Sequence, residues 1–487
     1  MNSYIGRSAI LAIVALGLLA SAEGQGFTGV FTSRNDTART GQNLNETVLT
    51  TKNVNSSAFG KLFSYPVDGQ IYAQPLYVPN VSIPNQGVHN VVYIATENDS
   101  LYAFDADGLT PNVLWKVSFI NPANGVTTLN CISLGFECNV WPITGITGTP
   151  VIDPSSNTIY LLVRTQEPGN NSVQRLHALD ITTGAEKFGG PVVISATVSG
   201  TGSGSSRGKI QFNTLHDNHR PGILLANGNV YIGWAGDAHG WVMAYNATTL
   251  AQVAVFNTTP NGTLGGVWQG GNGLATDSLG NIYFATGDGT FDASTGGLDY
   301  GDTIVKMNAN LQVLDYFTPM DQACRLLPND LDLGSGGPLV LPTQAGAYAD
   351  EIIQAGKGGS PCDLFGSTYA VPIYLVNRDA MGGYDPNQDQ DIQTIEGTIH
   401  GYWSSPAYWQ GPAGQYIYYS GMTSETGNGD YLKQYSLTDG VVSSAPIEQT
   451  PNLFPVGSTP AISANGTSNG ILWAIERKDI LSALPGV

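Results

Sequence analysis

Short runs that alternate apolar and polar residues recur along the whole chain, and turn-forming residues separate them. One kind of run starts at a proline, in "AQPLYV", "GTPVID", "RPGILL", "GGPLVL", "SPAYW" and "TPAIS", that is, at Pro75, Pro150, Pro221, Pro338, Pro406 and Pro460. A weaker copy, "NGLATD", has Leu274 at the same place. The seven positions are 53 to 75 residues apart, so the chain contains a repeat.

A second β-rich run follows each of these units, and a third run often follows the second. The second runs are "VVYIAT", "TIYLLV", "NVYIGW", "NIYFAT", "PIYLVN", "QYIYYS" and "GILWAI". The third runs, such as "SLYAFDAD" and "RLHALDITTG", end in turn residues, which is typical of hairpins. Three or four short strands at this period predict an all-β fold, a seven-bladed β-propeller of four-stranded antiparallel blades. A sandwich or a parallel β-helix is the alternative, and so long a period is unusual for either.

The recurring proline predicts where each run lies in its blade. Proline has no N–H for a sheet ladder, so it is usually the first residue of a strand or lies at an edge or a bulge. We therefore expect the prolines to begin the innermost strands and to ring one axis. The loops that enter these strands would then meet at the central funnel.

The N-terminus has the pattern of a cleaved secretory signal. Arg7 precedes a 13-residue apolar run, which is too short to span a bilayer comfortably, and a small-x-small site follows at Ala20 to Ala22. We expect a signal peptide over residues 1–22 and a mature protein that is secreted or periplasmic and has no membrane span. An uncleaved membrane anchor is the alternative.

The two ends of the mature chain leave the last blade open to two interpretations. Residues 61–487 are expected to form the propeller, and residues 23–60 an N-terminal extension or closing strand. The seventh unit ends at "LPGV" without its third strand. Either an N-terminal strand near residues 27–32 completes the last sheet, or the chain is truncated at its C-terminus, which the ending favours.

Charge excludes one class of partner. The chain has 19 Lys plus Arg against 38 Asp plus Glu, a net charge of −19. An acidic surface repels a phosphate backbone, so we expect no nucleic-acid partner. We also expect the protein to be a monomer.

The four cysteines of an exported chain are expected to be oxidised. Local spacing favours Cys131 with Cys138 and Cys324 with Cys362. Four cysteines allow three pairings, so the other two stay open.

The segments that lead into the proline units supply the candidate ligand site. "GQIYAQP", "LHDNHRP", "VWQGGNG" and "TIHGYWSSP" are rich in aromatic and polar residues, which are typical of a binding concavity. The candidate ligand-binding residues are Tyr72, His216, Asp217, His219, Arg220, Trp268, Gln269, His400, Tyr402 and Trp403. Turn formation and packing between blades are the alternative roles for these residues.

Within "HDNHR", His216 and His219 could act as base and acid or bind a metal, with Arg220 holding an anion. A polar loop that bonds its own backbone is the alternative.

A second segment, "DPNQDQDIQTIE", has oxygen-bearing side chains at the spacing of an EF-hand calcium loop. The candidate metal ligands are Asp385, Asn387, Asp389, Asp391 and Glu396, with Gln393 between them. Gln390 stands where such a loop has glycine, so a solvated acidic loop is the alternative.

The motifs "SLYAFDAD", "RLHALDITTGAEKF" and "IYLVNRDAMGG" resemble the repeats of quinoprotein-type, PQQ-like β-propellers. "DTARTGQNLNETVLT", "GITGTPVID" and "GNIYFATGDGTFD" resemble more closely a group of exported bacterial propeller proteins without an assigned activity. The resemblance extends over almost the whole mature chain and implies the fold more strongly than the chemistry, because propellers have many functions.

The resemblance also implies tests of cofactor use. Quinoprotein alcohol dehydrogenases hold their quinone between a Trp and a disulfide of adjacent cysteines, and this chain has no adjacent cysteines. The regular Trp docking motifs of that family are missing too. Quinone absorbance and dye-linked alcohol oxidation are therefore not expected. Soluble sugar dehydrogenases, which use a His base, an Arg and calcium, are not excluded by the cysteines.

These observations predict a non-catalytic propeller that binds a small molecule, a glycan or a protein at its funnel without a cofactor. The first alternative is a quinone- or metal-dependent oxidoreductase of the quinoprotein type, using PQQ or calcium. The second is a glycan-degrading enzyme, which would need paired carboxylates across the funnel.

Overall fold

The computed structural model describes residues 29–133, 140–325, 330–357, 370–400, 405–421 and 429–476, with Cys324, Arg325, Ala370, Thr398 and His400 described by their backbone only. These residues form seven antiparallel sheets around one axis, the seven-bladed β-propeller that the repeat predicts. In this part of the chain, helix is limited to one short α-helix and three short 3-10 helices, at Gln322–Arg325, Pro122–Asn124, Ala293–Thr295 and Leu333–Ser335. Among the described residues, none of these helices has the length and apolar character needed to cross a membrane.

The first three blades take their strands in chain order from the axis outward. Blade 1 consists of Leu76–Ile83, Gly87–Thr96, Ser100–Asp105 and Trp115–Ser118. Blade 2 consists of Val151–Asp153, Thr158–Glu167, Asn171–Asp180 and Val192–Val193, with Thr127–Asn130 and Ile143–Thr144 attached. Blade 3 consists of Asn218–His219 and Leu224–Ala226, followed by Asn229–Ala235, Trp241–Asn246 and Gln252–Asn257. A separate hairpin pairs Thr197–Ser199 with Lys209–Gln211.

The remaining blades follow the same order, and the last one differs. Blade 4 consists of Ala275–Thr276, Ile282–Ala285, Ile304–Met307 and Val313–Phe317. Blade 5 consists of Leu339–Val340, Glu351–Ala355, Ala370–Asn377 and Gln393–His400. Blade 6 consists of Ala407–Gly411, Gly414–Ser420, Asp430–Thr438, Val441–Val442 and Glu448–Phe454. Blade 7 has Ala461–Asn465 and Ser468–Trp473, to which Gln42–Asn43 adds in parallel on the inner side.

The repeated proline lies where the innermost strand of a blade begins. Pro75, Pro150, Pro338, Pro406 and Pro460 each directly precede such a strand, as Leu274 does in blade 4. In blade 3 the innermost strand is interrupted at Pro221, because Asn218–His219 and Leu224–Ala226 pair with the same neighbour. A proline is tolerated at these places because its missing N–H removes no ladder bond.

The hydrophobic core lies between neighbouring blades. The central strand of blade 3 shows why: Val230 and Ile232 belong to a cluster shared with blade 2, whereas Tyr231 belongs to one shared with blade 4. Successive side chains of a strand point to opposite faces, so one strand serves two clusters.

Residues 30–43, here called the N-terminal segment, run along the inner strands of the propeller. Its backbone is hydrogen-bonded to the innermost strands of six blades, at Tyr77, Ile152, Thr276, Val340, Tyr408 and Ile462. In blade 3 its Ser33 packs against Gly222. The segment therefore contacts every blade and ties the ring together from the inside.

Two buried arginines strengthen this contact. Arg34 donates to the carbonyls of Pro406 and Pro460, and Arg39 donates to those of Leu274 and Ile223. Burial lowers the pKa of each guanidinium to about 10, so both stay charged at neutral pH. Three of these four carbonyls, those of Leu274, Pro406 and Pro460, belong to the repeat positions. The repeat itself therefore supplies acceptors for the two buried charges.

Of the N-terminal segment, only Gln42–Asn43 pairs with a strand of blade 7. Val30 forms a bridge with Tyr77 of blade 1 instead. Whether the chain is truncated, and the exact limits of signal peptide and extension, stay predictions.

Candidate functional site

Two kinds of connection open at the same end of the propeller, here called the entry face. One is the loop that enters the innermost strand of a blade, and the other is the turn between its second and third strands. In blade 1, Asp68 of the entry loop accepts hydrogen bonds from Thr96 (2.9 Å) and Ser100 (2.7 Å) beside that turn. In blade 4 the turn residue Gly287 donates to Gly266 of the entry loop. Side chains from different blades can therefore meet at this end.

A small cavity lies at the entry face between blades 2 and 3. Its volume is about 10 Å³, which is room for about one water molecule. Its walls come from the two entry loops and from the strands behind them: Val140, Thr144, Gly145, Thr147, Leu162, Arg164, Gln174, Asn218, His219 and Arg220. The sequence predicted His219 and Arg220 but not Arg164, which lies within the buried strand Thr158–Glu167 and carries no local signal of a site.

The "HDNHR" segment divides its residues between surface and interior. His216 is partly exposed, with its Nδ1 3.4 Å from Asp237. His219 is 7% exposed and lines the cavity, and neither of its ring nitrogens has a hydrogen-bond partner. Burial lowers the pKa of His219 to about 3, so the ring is neutral. The two histidines thus face different surroundings, and the geometry does not present them as an acid–base pair.

Asp217 of the same segment serves the loop itself. Its carboxylate accepts a hydrogen bond from the Asn213 amide at 2.6 Å. Burial raises its pKa to about 7.

Arg220 and Trp268 come together from two consecutive blades. The guanidinium carbon of Arg220 is 5.8 Å from the centre of the Trp268 ring, which is cation–π distance. Gln269 is fully buried beside them, and its amide nitrogen Nε2 has no hydrogen-bond partner. Tyr72 is 44% exposed. The side chain of His400 and the residues Tyr402 and Trp403 lie outside the described structure.

A carboxylate cluster at the entry face of blades 4 and 5 was missed by the sequence analysis. Within the described chain, Asp288, Asp330 and Asp332 are the one group of three acidic residues whose oxygens lie within 4.8 Å of one another. The ammonium of Lys357 is 2.7 Å from Asp332 and 2.8 Å from Asp330. The backbone N–H of Asp288 donates to Asp332 at 2.9 Å.

The cluster holds two carboxyl groups in different protonation states. Burial, followed by the negative charge of Asp332, raises the pKa of Asp288 to about 9. Burial also opposes the charge of Asp332, but the Lys357 ammonium and the hydrogen bonds from Asp288 hold its pKa below the usual value. At neutral pH Asp288 is therefore an acid beside a carboxylate, and its Oδ2 has no hydrogen-bond partner.

Gly287 explains why the cluster lies against Trp268. A Cβ at this position would collide with Asp332 Oδ1 and would touch the indole ring of Trp268. Glycine thus permits the close approach of both side chains. The sequence signal was the run "ATGDG", in which an acidic residue between glycines follows a buried strand.

The predicted calcium loop does not gather its acidic side chains into such a group within the described residues. Asp389 accepts a hydrogen bond from the Met320 amide, and Asp391 accepts one from the Thr394 hydroxyl. Asp385 is bonded by the Asn387 amide in a turn, and Glu396 lies on the strand Gln393–His400. Calcium binding by this loop, with Asn387 and Gln393 as ligands, stays a prediction.

Among the cysteines, Cys131 is buried and disulfide-bonded. The side chains of Cys138, Cys324 and Cys362 lie outside the described structure. The pairing therefore stays a prediction.

Comparison with solved structures places the chain among quinoprotein dehydrogenases in fold. A quinohemoprotein alcohol dehydrogenase from Pseudomonas putida matches with a TM-score of 0.59 and 15% identity, covering 93% of this chain and 73% of that chain. A europium-containing methanol dehydrogenase matches with a TM-score of 0.57 and 12% identity, covering 93% and 86%. A quinohemoprotein alcohol dehydrogenase from Comamonas testosteroni matches with a TM-score of 0.56 and 13% identity, covering 92% and 70%. No family model and no curated protein matches the chain.

These comparisons confirm the resemblance to quinoprotein-type propellers that the sequence motifs indicate. They correct the functional prediction. The expectation of a non-catalytic binding protein is wrong, because the matching structures are alcohol and methanol dehydrogenases and favour the oxidoreductase alternative. The absence of adjacent cysteines excludes one way of holding a quinone, and it does not exclude the reaction.

Proposed function

We propose that the protein is an oxidoreductase of the quinoprotein type, which oxidises an alcohol with the help of a bound quinone and a hard cation. The observation that carries this proposal is the pair Asp288–Asp332, which faces Lys357 on one side and lies close to Trp268 on the other. The fold of the matching dehydrogenases supports it.

The residues of the cluster fit a cation by their chemistry. Carboxylate oxygens are the ligands that calcium prefers, and Asp288, Asp330 and Asp332 offer them within 4.8 Å. Asp288 Oδ2 is buried without a partner, which is costly unless a ligand satisfies it. We assign the cation to Asp288 and Asp332, with Asp330 at the solvent side.

The side chains around the cluster offer the kinds of contact that a planar anionic group needs. Trp268 offers an aromatic ring, Gln269 offers an unpartnered amide Nε2, and Arg220 and Lys357 offer positive charge. The cavity of about 10 Å³ does not by itself hold a ring system of that size. We therefore assign these residues as the donor set without placing the ring.

Alcohol oxidation requires an acceptor for the hydroxyl proton and an acceptor for the carbon-bound hydrogen with its two electrons. A bound quinone would supply the second acceptor. The first is the role that we assign to Asp288 and Asp332, which share one proton at neutral pH. Lys357 keeps Asp332 charged, so the pair retains a basic oxygen.

The proposal is tested by reconstituting the purified protein with PQQ and a calcium or lanthanide salt. We expect alcohol-dependent reduction of an electron-acceptor dye that requires both additions, together with a quinone absorbance that stays with the protein. Protein that neither retains PQQ nor reduces dye would overturn the proposal.

A matched control separates chemistry from folding. Asp277 is also buried in an ion pair, with Arg378 at 3.1 Å, but it lies in the turn between the first two strands of blade 4, away from the entry face. Asp277→Asn should lower stability and leave the activity per folded molecule unchanged. Asp288→Asn should lower activity about 100-fold or more, because it removes one carboxyl group of the pair to which we assign the cation and the proton.

A further inference from the structure

Asp302 lies where the two segments that carry the carboxylate cluster meet. It is fully buried and stands just before the third strand of blade 4. Its backbone N–H donates to the carbonyl of Gly287 at 2.8 Å, and Gly287 is the residue before Asp288. Its carboxylate Oδ1 accepts the backbone N–H of Leu333 at 3.0 Å, and Leu333 is the residue after Asp332. Asp302 is thus bonded to an immediate neighbour of each member of the pair.

The entry loop of blade 5 also rests on the blade 4 turn through its backbone. Besides the bond from Asp288 to Asp332, the amide of Gly334 donates to the carbonyl of Thr286 at 2.9 Å. A Cβ at Gly334 would lie only 2.8 Å from the same carbonyl oxygen, so the loop and the turn are in close contact. Asp302 adds to this contact a side-chain bond that a substitution can change.

The backbone of Asp302 indicates why this residue type is needed. Its φ is 46°, in the left-handed region, which residues other than glycine adopt uncommonly and which Asp and Asn tolerate better than most. Glycine would fit this backbone at less cost, but it would lack the oxygen that accepts the Leu333 N–H. An unfavourable backbone conformation persists where the surroundings require it. The side chain is therefore what position 302 needs.

Asp302 does not complete the cluster as a further ligand. Among the described residues, the three carboxyl groups whose oxygens lie within 4.8 Å of one another belong to Asp288, Asp330 and Asp332. Asp302 is outside this group and reaches it only through backbone neighbours. Its influence on a cation there is exerted on the ligands.

We propose that Asp302 is a positioning residue for the pair Asp288–Asp332. By bonding the residue next to each member, it fixes their separation and with it the geometry of the cation site. This inference rests on the proposed function, which assigns the cation to that pair. Groups that orient metal ligands from outside are typically worth about 10–100-fold in metal affinity.

Two substitutions separate the position of the carboxylate from its charge. Asp302→Asn removes the charge but keeps an acceptor oxygen at the same reach, and Asn also tolerates the left-handed backbone. Asp302→Glu keeps the charge but displaces it by one methylene group. A positioning role predicts that Asp302→Asn is the milder change, whereas a purely electrostatic role predicts the reverse order.

Cation affinity is measured on the full protein free of PQQ, by titration with terbium(III). Its luminescence is excited through Trp268, whose ring borders Gly287. Asp288→Asn, which removes a ligand, shows which part of the signal comes from the cluster. We expect Asp302→Asn to bind within about threefold of the unchanged protein and Asp302→Glu to bind about 10–100-fold more weakly.

Asp315 provides the matched control. It lies on the outermost strand of blade 4, and its carboxylate accepts the Met381 amide of the blade 5 loop at 2.8 Å. It therefore joins the same two blades by the same kind of bond, and Asp315→Glu should bind terbium(III) as the unchanged protein does. Melting temperatures identify a variant that fails to fold. If Asp302→Glu fails, a tenfold loss in folded Asp302→Asn would still refute the positioning role.

Unchanged affinity in Asp302→Glu, or an equal loss in Asp302→Asn, would overturn the inference. If the unchanged protein did not bind terbium(III) at the cluster, the cation assignment would fail together with it. The proposed function fails separately. Protein that binds terbium(III) with the expected order of variants, but neither retains PQQ nor reduces dye, would keep the positioning role and refute the oxidoreductase.

Discussion

The turns after the second strands of blade 1 and blade 4 occupy equivalent places in the repeat, but they differ in the side chains that they carry. In blade 1, "YIAT" is followed by Glu97 and Asp99, which are fully buried. In blade 4, "YFAT" is followed by Gly287 and Asp288. The first turn fills its own space with acidic side chains, whereas the second leaves space that Asp332 and Trp268 enter.

The two sites also differ in how charge is compensated. Asp332 has the Lys357 ammonium at 2.7 Å, so one carboxylate of its pair stays ionised. Glu97 accepts hydrogen bonds from an amide and a hydroxyl, and Arg220 and Arg164 act on it only through their charge, so burial outweighs them and raises its pKa. A buried carboxyl group without a cation in direct contact tends to be neutral, while one in a close ion pair keeps its charge. The repeat therefore sets the place of a turn, and its neighbours decide whether the turn can carry out acid–base chemistry.

The largest effect is expected for Asp332→Asn, which should abolish dye-linked activity and lower stability by about 3–5 kcal/mol. The reason is that Lys357, 8% exposed, would remain buried without its main counter-charge. Thermal denaturation and the reconstituted assay measure the two effects. Asp332→Asn combined with Lys357→Met should regain much of the stability but none of the activity. If Asp332→Asn alone melted like the unchanged protein, the buried charge of Lys357 would not depend on Asp332.

The next effect compares the two turns directly. Asp288→Asn should reduce turnover about 100-fold or more, whereas Asp99→Asn should leave turnover unchanged and shift the melting temperature by little. Asparagine resembles the neutral acid that burial already favours at Asp99. Steady-state rates of both variants, measured at equal quinone loading, test the contrast. Equal loss in both would mean that the blade 1 turn also belongs to the reaction centre.

A smaller effect concerns pH. Because burial raises the pKa of Glu97 from 4.5 to about 7, the folded protein binds this proton more tightly than the unfolded chain does. The associated stability is present below pH 4.5 and is lost as pH rises to about 7, up to about 3 kcal/mol in all. Glu97→Gln should therefore be more stable than the unchanged protein at pH 7 and above, with the difference shrinking toward pH 5.

Denaturant unfolding at a series of pH values measures this difference. The exposed Glu448→Gln is the control and should follow the unchanged protein at every pH. A pH-independent offset for Glu97→Gln would refute the linkage.

The smallest effect concerns Trp268, whose ring contacts Arg220 and borders Gly287 in the blade 4 turn. Trp268→Phe keeps an aromatic ring but weakens the contact with Arg220, a cation–π pair worth about 0.5–1 kcal/mol at an exposed site. The affinity for added PQQ should fall two- to fivefold with little change in melting temperature. An unchanged affinity would show that Arg220 is held in place without Trp268.

Much of the fold could be predicted, because the repeat consists of short local sequence patterns. Alternation of apolar residues gives the strands, and the prolines mark the innermost ones. The candidate site was predicted only in part. Arg220 and Trp268 were found because they precede the repeat units, whereas Lys357 follows an ordinary buried strand, Arg164 lies within one, and neither carries a local signal.

The N-terminal segment shows the same limit. Its sequence "SRNDTARTGQ" does not alternate in a way that predicts a strand, yet it contacts all seven blades. Its partners are backbone groups spread over the whole chain, so no local pattern could reveal them.

The sequence by itself determined the number of blades, the order of their strands and the turns at each end, because these depend on residues that are close along the chain. Only the tertiary structure decided which charges meet. Asp288, Asp332 and Lys357 come from two blades, and their protonation depends on burial and on distances of a few ångströms. The energy of a charge inside a protein is set by its neighbours in space, and a seven-bladed ring brings together neighbours that are far apart in sequence.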